Sequence, residues 1–220
     1  MRTMQASMFN CSYLYILCFL TFSLSLKAQD EENVSKESSR RFFTYQISIV
    51  KPVAFGDNFA DNGLKQLVGY DLSLRFYIFR SIFLGVEGGS FIATVENEDL
   101  VGDFDQSNAN TYGLTAGYTF QLNKNHLVDA GLSYGAVNYR NSKDGLDDRF
   151  VDSGNYLKIN GQYNYRINKN ISVFAFTNLR LDRLDIKTSP NIDSFINQSN
   201  YVIFGIGFKV GLSARIDEIW

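Results

Sequence analysis

Cysteine, histidine and proline are nearly missing from this 220-residue chain, with two, one and two residues respectively. Both cysteines, Cys11 and Cys18, fall in the first 28 residues, which carry Arg2 at the start, an apolar run from Tyr13 to Leu26, and the small Ala28 before Gln29. That layout reads as a signal peptide, its run shorter than the roughly 20 apolar residues of a membrane-spanning helix. Cleavage after Ala28 leaves 192 residues and no cysteine, so no disulfide, thiol nucleophile or thiolate-bound metal is expected. Neither cysteine has the small-residue context of a lipoprotein cleavage site, which argues against a lipid anchor. The single histidine, His126, has no second imidazole with which to build a catalytic His, Ser and acid set. It reads as a polar turn residue, and no enzyme is expected. Long hydrophobic runs are also missing after the leader, so no helical span is expected. Basic charge is sparse too: without Arg2 and Lys27, 19 basic residues face 23 acidic ones, and nucleic acid is not an expected partner.

What the chain has in quantity is Phe (19), Gly (17) and Tyr (13), a composition that favours strands. The stretch from Tyr112 to Leu122 alternates without a break. Tyr112, Leu114, Ala116, Tyr118, Phe120 and Leu122 share one phase; Thr111, Gly113, Thr115, Gly117, Thr119 and Gln121 share the other. A sheet facing water would show Lys and Glu on its polar side. Small uncharged residues instead suit a narrow lumen, with the large apolar side chains turned outward to lipid.

Seven further segments have β character: Phe42 to Val53, Leu67 to Phe79, Phe83 to Val95, His126 to Arg140, Tyr156 to Ile167, Ile171 to Ile186, and Tyr201 onward. In the third, the phase of Leu84 and Val86 is expected to slip at Gly88 and Gly89, with Phe91, Ala93 and Val95 taking over the outward face after a bulge. The connections alternate in length. Arg80 to Ile82, Asn123 to Asn125 and Asn168 to Asn170 are tight turns, whereas Ala54 to Gln66, Glu96 to Asn110, Asn141 to Asn155 and Lys187 to Asn200 are long loops. Short turns on one side and long loops on the other, with an even strand number, predict an all-β, eight-stranded antiparallel up-and-down transmembrane β-barrel with both termini in the periplasm. Residues 42–220 form the barrel in this reading. Residues 29–41, rich in Glu, Ser and Lys, form a disordered periplasmic lead-in. The outward phase of the last strand returns at the terminal Trp220, beyond a break at Glu218.

This pattern resembles the small eight-stranded outer-membrane β-barrel proteins of Gram-negative bacteria, the group that includes the OmpA barrel, OmpX, and the OmpW-like and PorT-like families. The resemblance covers Phe42 to about Leu212 and rests on strand pattern and loop order. It implies an outer-membrane location, insertion by the barrel-assembly machinery, contact with outer-membrane lipid and lipopolysaccharide, and no cofactor.

A barrel of this size has room only for side chains, so inward charges must pair. A three-residue turn at Arg80 to Ile82 sets Phe79 opposite Phe83 and hence Arg75 opposite Glu87, as an ordering salt bridge or as a proton or ion gate. Lys158, Arg166, Arg180, Asp182 and Lys209 would extend this lumen network. The acidic loop with Glu96, Glu98, Asp99, Asp103 and Asp105 is either a solvated surface or a weak divalent-cation chelate, since it lacks the spacing of a calcium loop. The next loop is also acid-rich, with Asp144, Asp147, Asp148 and Asp152. Phe42, Phe43, Phe79, Phe83 and Phe120 fit an interfacial aromatic girdle. The expected role is non-catalytic: structural, or surface interaction with a protein partner through four external loops. A narrow pore for small solutes, a secretion-accessory barrel and a soluble lipocalin-like carrier are the alternatives.

Overall fold

Strand formation follows the alternation residue by residue, and closure leaves no sheet edge to protect. A computed structural model describes residues 40–78, 81–143 and 150–214. The expected signal peptide, residues 29–39 of the lead-in, Phe79, Arg80, Asp144, Asp147, Asp148 and residues 215–220, with Glu218 and Trp220, lie outside the described residues. The strands are β1 (Arg40–Ala54), β2 (Leu64–Tyr77), β3 (Ile82–Val95), β4 (Gln106–Gln121), β5 (His126–Ser142), β6 (Phe150–Arg166), β7 (Ile171–Leu184) and β8 (Gln198–Ala214). Each pairs antiparallel with its sequence neighbours, and β8 returns to β1 to close the barrel. Arg40 and Arg41, read above as lead-in, already belong to β1, opposite Ala214 and Ser213.

The β4 ladder points as its chemistry demands. Tyr112, Leu114 and Tyr118 are outward, Leu114 at 69 % exposure, while Thr115 and Thr119 are buried inside. The apolar stretch from Tyr112 to Leu122 is 11 residues long, about 36 Å along a strand. At a tilt of about 45° that is ~26 Å along the axis, the height of a bilayer's apolar band.

Toward the loop end the polarity inverts. Outward positions become Asn110 and Asn108 on β4, Asn138 and Arg140 on β5, and Asn155 and Ser153 on β6. Inward positions become Val50, Phe91, Ala93, Ala109, Val137, Tyr139, Tyr201 and Ile203, all buried in one cluster. The strands thus build a lower storey that is apolar outside and polar within, and an upper storey that is apolar within and more polar outside, where Ile92 and Val151 stay exposed in the row of Asn108 and Arg140.

This inversion corrects two expectations. Phe91 and Ala93 do not turn outward; β3 pairs with β4 in unbroken register from Ile82 to Thr94, and both side chains stay inside. The irregularity lies instead in β2, between Gln66 and Gly69, opposite Ala93 and Phe91 of β3. The loops are also shorter than expected. Strands β4, β6 and β8 begin at Gln106, Phe150 and Gln198, because the upper storey carries Asn and Ser outward and reads as loop when lipid-facing apolar residues are sought.

The two ends differ in construction. At the turn end, Asn123-Lys124-Asn125 and Asn168-Lys169-Asn170 adopt the same turn: Asn123 Oδ1 accepts from the backbone N–H of Asn125 and His126 at 3.0 and 3.1 Å, and Asn168 Oδ1 accepts from those of Asn170 and Ile171 at 2.9 Å each. At the loop end a short helix, α1 (Phe59–Gly63), folds over the barrel mouth. The buried Asn58 caps it, its Oδ1 accepting from Ala60 and Asp61 at 3.1 Å. Ala60 is fully buried, and Phe59 packs edge-on against Tyr139 with ring centres 5.8 Å apart. Two one-turn helices, α2 (Glu98–Val101) and α3 (Asp193–Ile196), complete the loop end; Val101 of α2 and Phe195 of α3 pack against the same apolar cluster.

Candidate functional site

The lower-storey lumen holds the ionisable residues that phase places inward, and their contacts follow from register. Tyr77 lies opposite Phe83, so Arg75 faces Gly85 and Ser73 faces Glu87. The expected Arg75–Glu87 pair is therefore not formed: the hairpin centres one residue earlier than a turn at Arg80 to Ile82 would, with Ile78 N–H donating to Ile82 O at 3.1 Å.

Three clusters result. Nearest the turns, Asp129 Oδ2 accepts from Arg75 Nη1 at 3.0 Å and Lys209 Nζ at 2.7 Å, while its Oδ1 accepts from Thr119 at 2.8 Å. The Arg75 guanidinium also covers the Phe83 ring at 4.4 Å. The Gln46 amide satisfies its neighbours with its oxygen turned to Lys209 Nζ and Arg75 Nη1, each at 3.2 Å. In the middle, Lys158 Nζ meets Glu87 Oε1 at 2.6 Å and Asp71 Oδ2 at 3.7 Å, and Glu87 accepts further from Ser133 and Tyr156. Beneath the upper storey, Asp182 Oδ2 accepts from Arg180 at 2.9 Å and from the Tyr139 hydroxyl at 2.6 Å. Arg180 lies over the rings of Phe91 and Tyr201 at 5.0 and 4.8 Å. Four carboxylates thus meet four cations. That balance is what burial in a low-dielectric interior requires.

Of the residues expected in the network, Arg75, Glu87, Lys158, Arg180, Asp182 and Lys209 fall into these clusters. Arg166 sits apart near the turn end and joins no ion pair among the described residues. Asp129 and Asp71 stand on the inward phase of their strands and were legible there, but only the register shows that they are the partners of Arg75, Lys209 and Lys158. The tyrosines 139, 156 and 201 gave no signal, because an inward tyrosine and an outward one look alike in sequence.

The inward glycines make room for aromatic rings. A Cβ on Gly117 would lie 2.5 Å from Phe83 Cζ, and one on Gly207 would lie 2.7 Å from Phe174 Cζ. Phe83, expected in the girdle, is consequently a lumen residue with 1 % exposure. Phe42, Phe43 and Phe76 do cluster near the turn end, with ring centres 5.0 and 6.4 Å apart.

Outside the lumen, His126 shares a hydrogen bond with the Tyr163 hydroxyl and packs against Tyr165 with ring centres 5.3 Å apart. The acidic loop is partly paired: Glu96 with Lys65 at 3.2 Å, and Asp103 with Lys143, whose ammonium pKa that hydrogen bond pushes up. Among the described residues no three Asp, Glu or His side chains converge as a metal site would need.

No family model matches the chain, and no curated protein matches it in sequence. Solved structures do share its fold. Neisserial surface protein A is similar at 10 % identity over 80 % of this chain and 98 % of its own, with a TM-score of 0.56. The attachment invasion locus protein Ail of Yersinia pestis is similar at 16 % identity over 77 % of this chain and 99 % of its own, with a TM-score of 0.44. The outer-membrane protein AlkL gives 9 %, 84 %, 98 % and 0.46. At these identities the likeness is one of fold. The chain is a closed, eight-stranded antiparallel transmembrane β-barrel of the kind that small outer-membrane proteins adopt.

Proposed function

We propose that this protein is a non-conducting, non-catalytic outer-membrane barrel, with its turns and termini in the periplasm, that holds four loops outside the cell for contact with a partner. One observation carries the reading: the lumen is closed at two levels. Paired charges and the Phe83 ring occupy the lower storey, leaving a cavity of only about 30 Å³ among Gln46, Asp71, Arg75 and Lys158, and an apolar cluster under α1 closes the upper one. A pore would leave a continuous polar path, and a soluble carrier would not present Leu114 and Ile206 to water at 69 and 67 % exposure. Planar-bilayer recording of the purified barrel tests the proposal. No stepwise conductance is expected. Reproducible single-channel steps would overturn it.

A further inference from the structure

The lower-storey outer wall is not evenly covered. Where β6, β7, β8 and β1 meet, it is hollowed into an apolar groove of about 570 Å³. Val173 and Ala175 of β7 form its floor; Tyr163 and Tyr165 of β6 rise on one side, Ile206 and Phe208 of β8 on the other. Register explains the depression: Ala175 lies between Tyr163 and Ile206 in one row across the sheet, so a methyl group separates two large side chains. The groove lies within the apolar band, where hydrocarbon is the medium that fills it.

Its turn end is chemically distinct. Tyr165 is directly opposite His126, whose ring packs on it, and the Tyr163 hydroxyl bonds the same imidazole. Just below are the two Asn-Lys-Asn turns, the first tied to the end of β6 where the Arg166 N–H donates to Asn125 O at 2.7 Å. Both tips, Lys124 and Lys169, are exposed. The exposed Leu122 and Ile167 directly precede the two turns, so the lysine tips lie at the lower edge of the apolar band. At the other end the described loops include Asp57, Asp61, Glu96, Glu98, Asp99, Asp103 and Asp105, of which Glu96 and Asp103 pair with Lys65 and Lys143.

We infer that this groove and its lysine turns form a binding site for one anionic phospholipid, with an acyl chain along Val173 and Ala175, the glycerol region beside His126 and Tyr165, and the phosphate at Lys124 and Lys169. Charge complementarity selects the occupant: the two turn tips match a phosphate, and the tyrosine-imidazole step between them and the groove is amphipathic like the glycerol region it meets. Assigning the lipid to the periplasmic leaflet rests on the orientation proposed above; the site itself does not.

Native mass spectrometry of the full-length mature barrel, released from non-ionic detergent with equimolar phosphatidylglycerol and phosphatidylcholine of matched chains, tests this. One phosphatidylglycerol should be retained with a preference of about tenfold or more, the scale expected of one or two lysines beside an anionic headgroup. The double variant Lys124→Glu/Lys169→Glu should abolish the preference, and its turns keep the asparagines that cap them. Ala175→Leu should reduce retention of both lipids, and Lys51→Glu, near the loop end, should change nothing. Equal retention of the two lipids by the unmodified barrel, an undiminished preference in the lysine variant, or a dimer without lipid, meaning that a second copy covers the groove, would each overturn the site. None of these outcomes bears on conductance, so the proposed function stands or falls separately.

Discussion

Replacing Asp129 by Asn is the most demanding test of the lumen. The change keeps the side-chain shape but removes the one negative charge shared by Arg75 and Lys209, all three side chains being at most 6 % exposed. At contact distances of 2.7 and 3.0 Å, each attraction has a gross size of roughly 6 kcal/mol at an effective dielectric constant of about 20. Most of that offsets desolvation already incurred, and the expected net loss is about 4–5 kcal/mol, the cost of leaving buried cations uncompensated. Asp71→Asn is the internal control. Asp71 stands 3.7 Å from Lys158 with a quarter of its side chain exposed, and Lys158 keeps Glu87 at 2.6 Å; a loss of about 1 kcal/mol is expected. Urea titration of the heat-modifiable folded band in detergent micelles reads both values. The double variant Asp129→Asn/Lys209→Met should recover at least half of the single variant's loss, because it removes a stranded cation along with its partner. An Asp129→Asn loss below about 1 kcal/mol, or no recovery in the double variant, would refute the idea that paired charge holds the lumen together.

Two further outcomes are expected. Leu114→Arg should cost about 2–4 kcal/mol in bilayers, since it sets a charge in the apolar band, while Asn110→Arg on the same strand and face should cost close to nothing. Equal costs in reconstituted membranes would move the boundary between the storeys. Gly117→Val should destabilise the barrel, because its Cβ would meet Phe83 Cζ at 2.5 Å and Ala130 O at 2.4 Å; Phe83→Ala in the same chain should relieve only the ring's share, and full additivity in the urea titration would count against ring-on-glycine packing.

Much of the barrel was legible because lipid and lumen impose opposite chemistries on alternate residues. The Tyr112 to Leu122 ladder carries both, and its facing followed from composition without a fingerprint. Register was not legible to the residue. Arg75 and Glu87 sit on the inward phase as expected, yet a hairpin centred one residue away gives each a different partner, Asp129 and Lys158, on strands remote in sequence. The upper storey was hidden for another reason. Asn108, Asn110, Ser153 and Asn155 alternate with small or apolar inward residues as in a soluble sheet, so a search for outward apolar residues cut β4 and β6 short and took Phe91 and Ala93 for a slipped phase.

The inversion above Tyr112 gives one set of strands two thermodynamic regimes. In the upper storey the alternative to burial is water, so the Phe59, Tyr139 and Tyr201 cluster is held by the hydrophobic effect and weakens on cooling. In the lower storey the surroundings are as apolar as leucine, and association gains nothing from expelling water; hydrogen bonds, ion pairs and ring packing hold the interior. The loops therefore rest on a base whose cohesion does not depend on the surrounding lipid, while the anchor beneath it does.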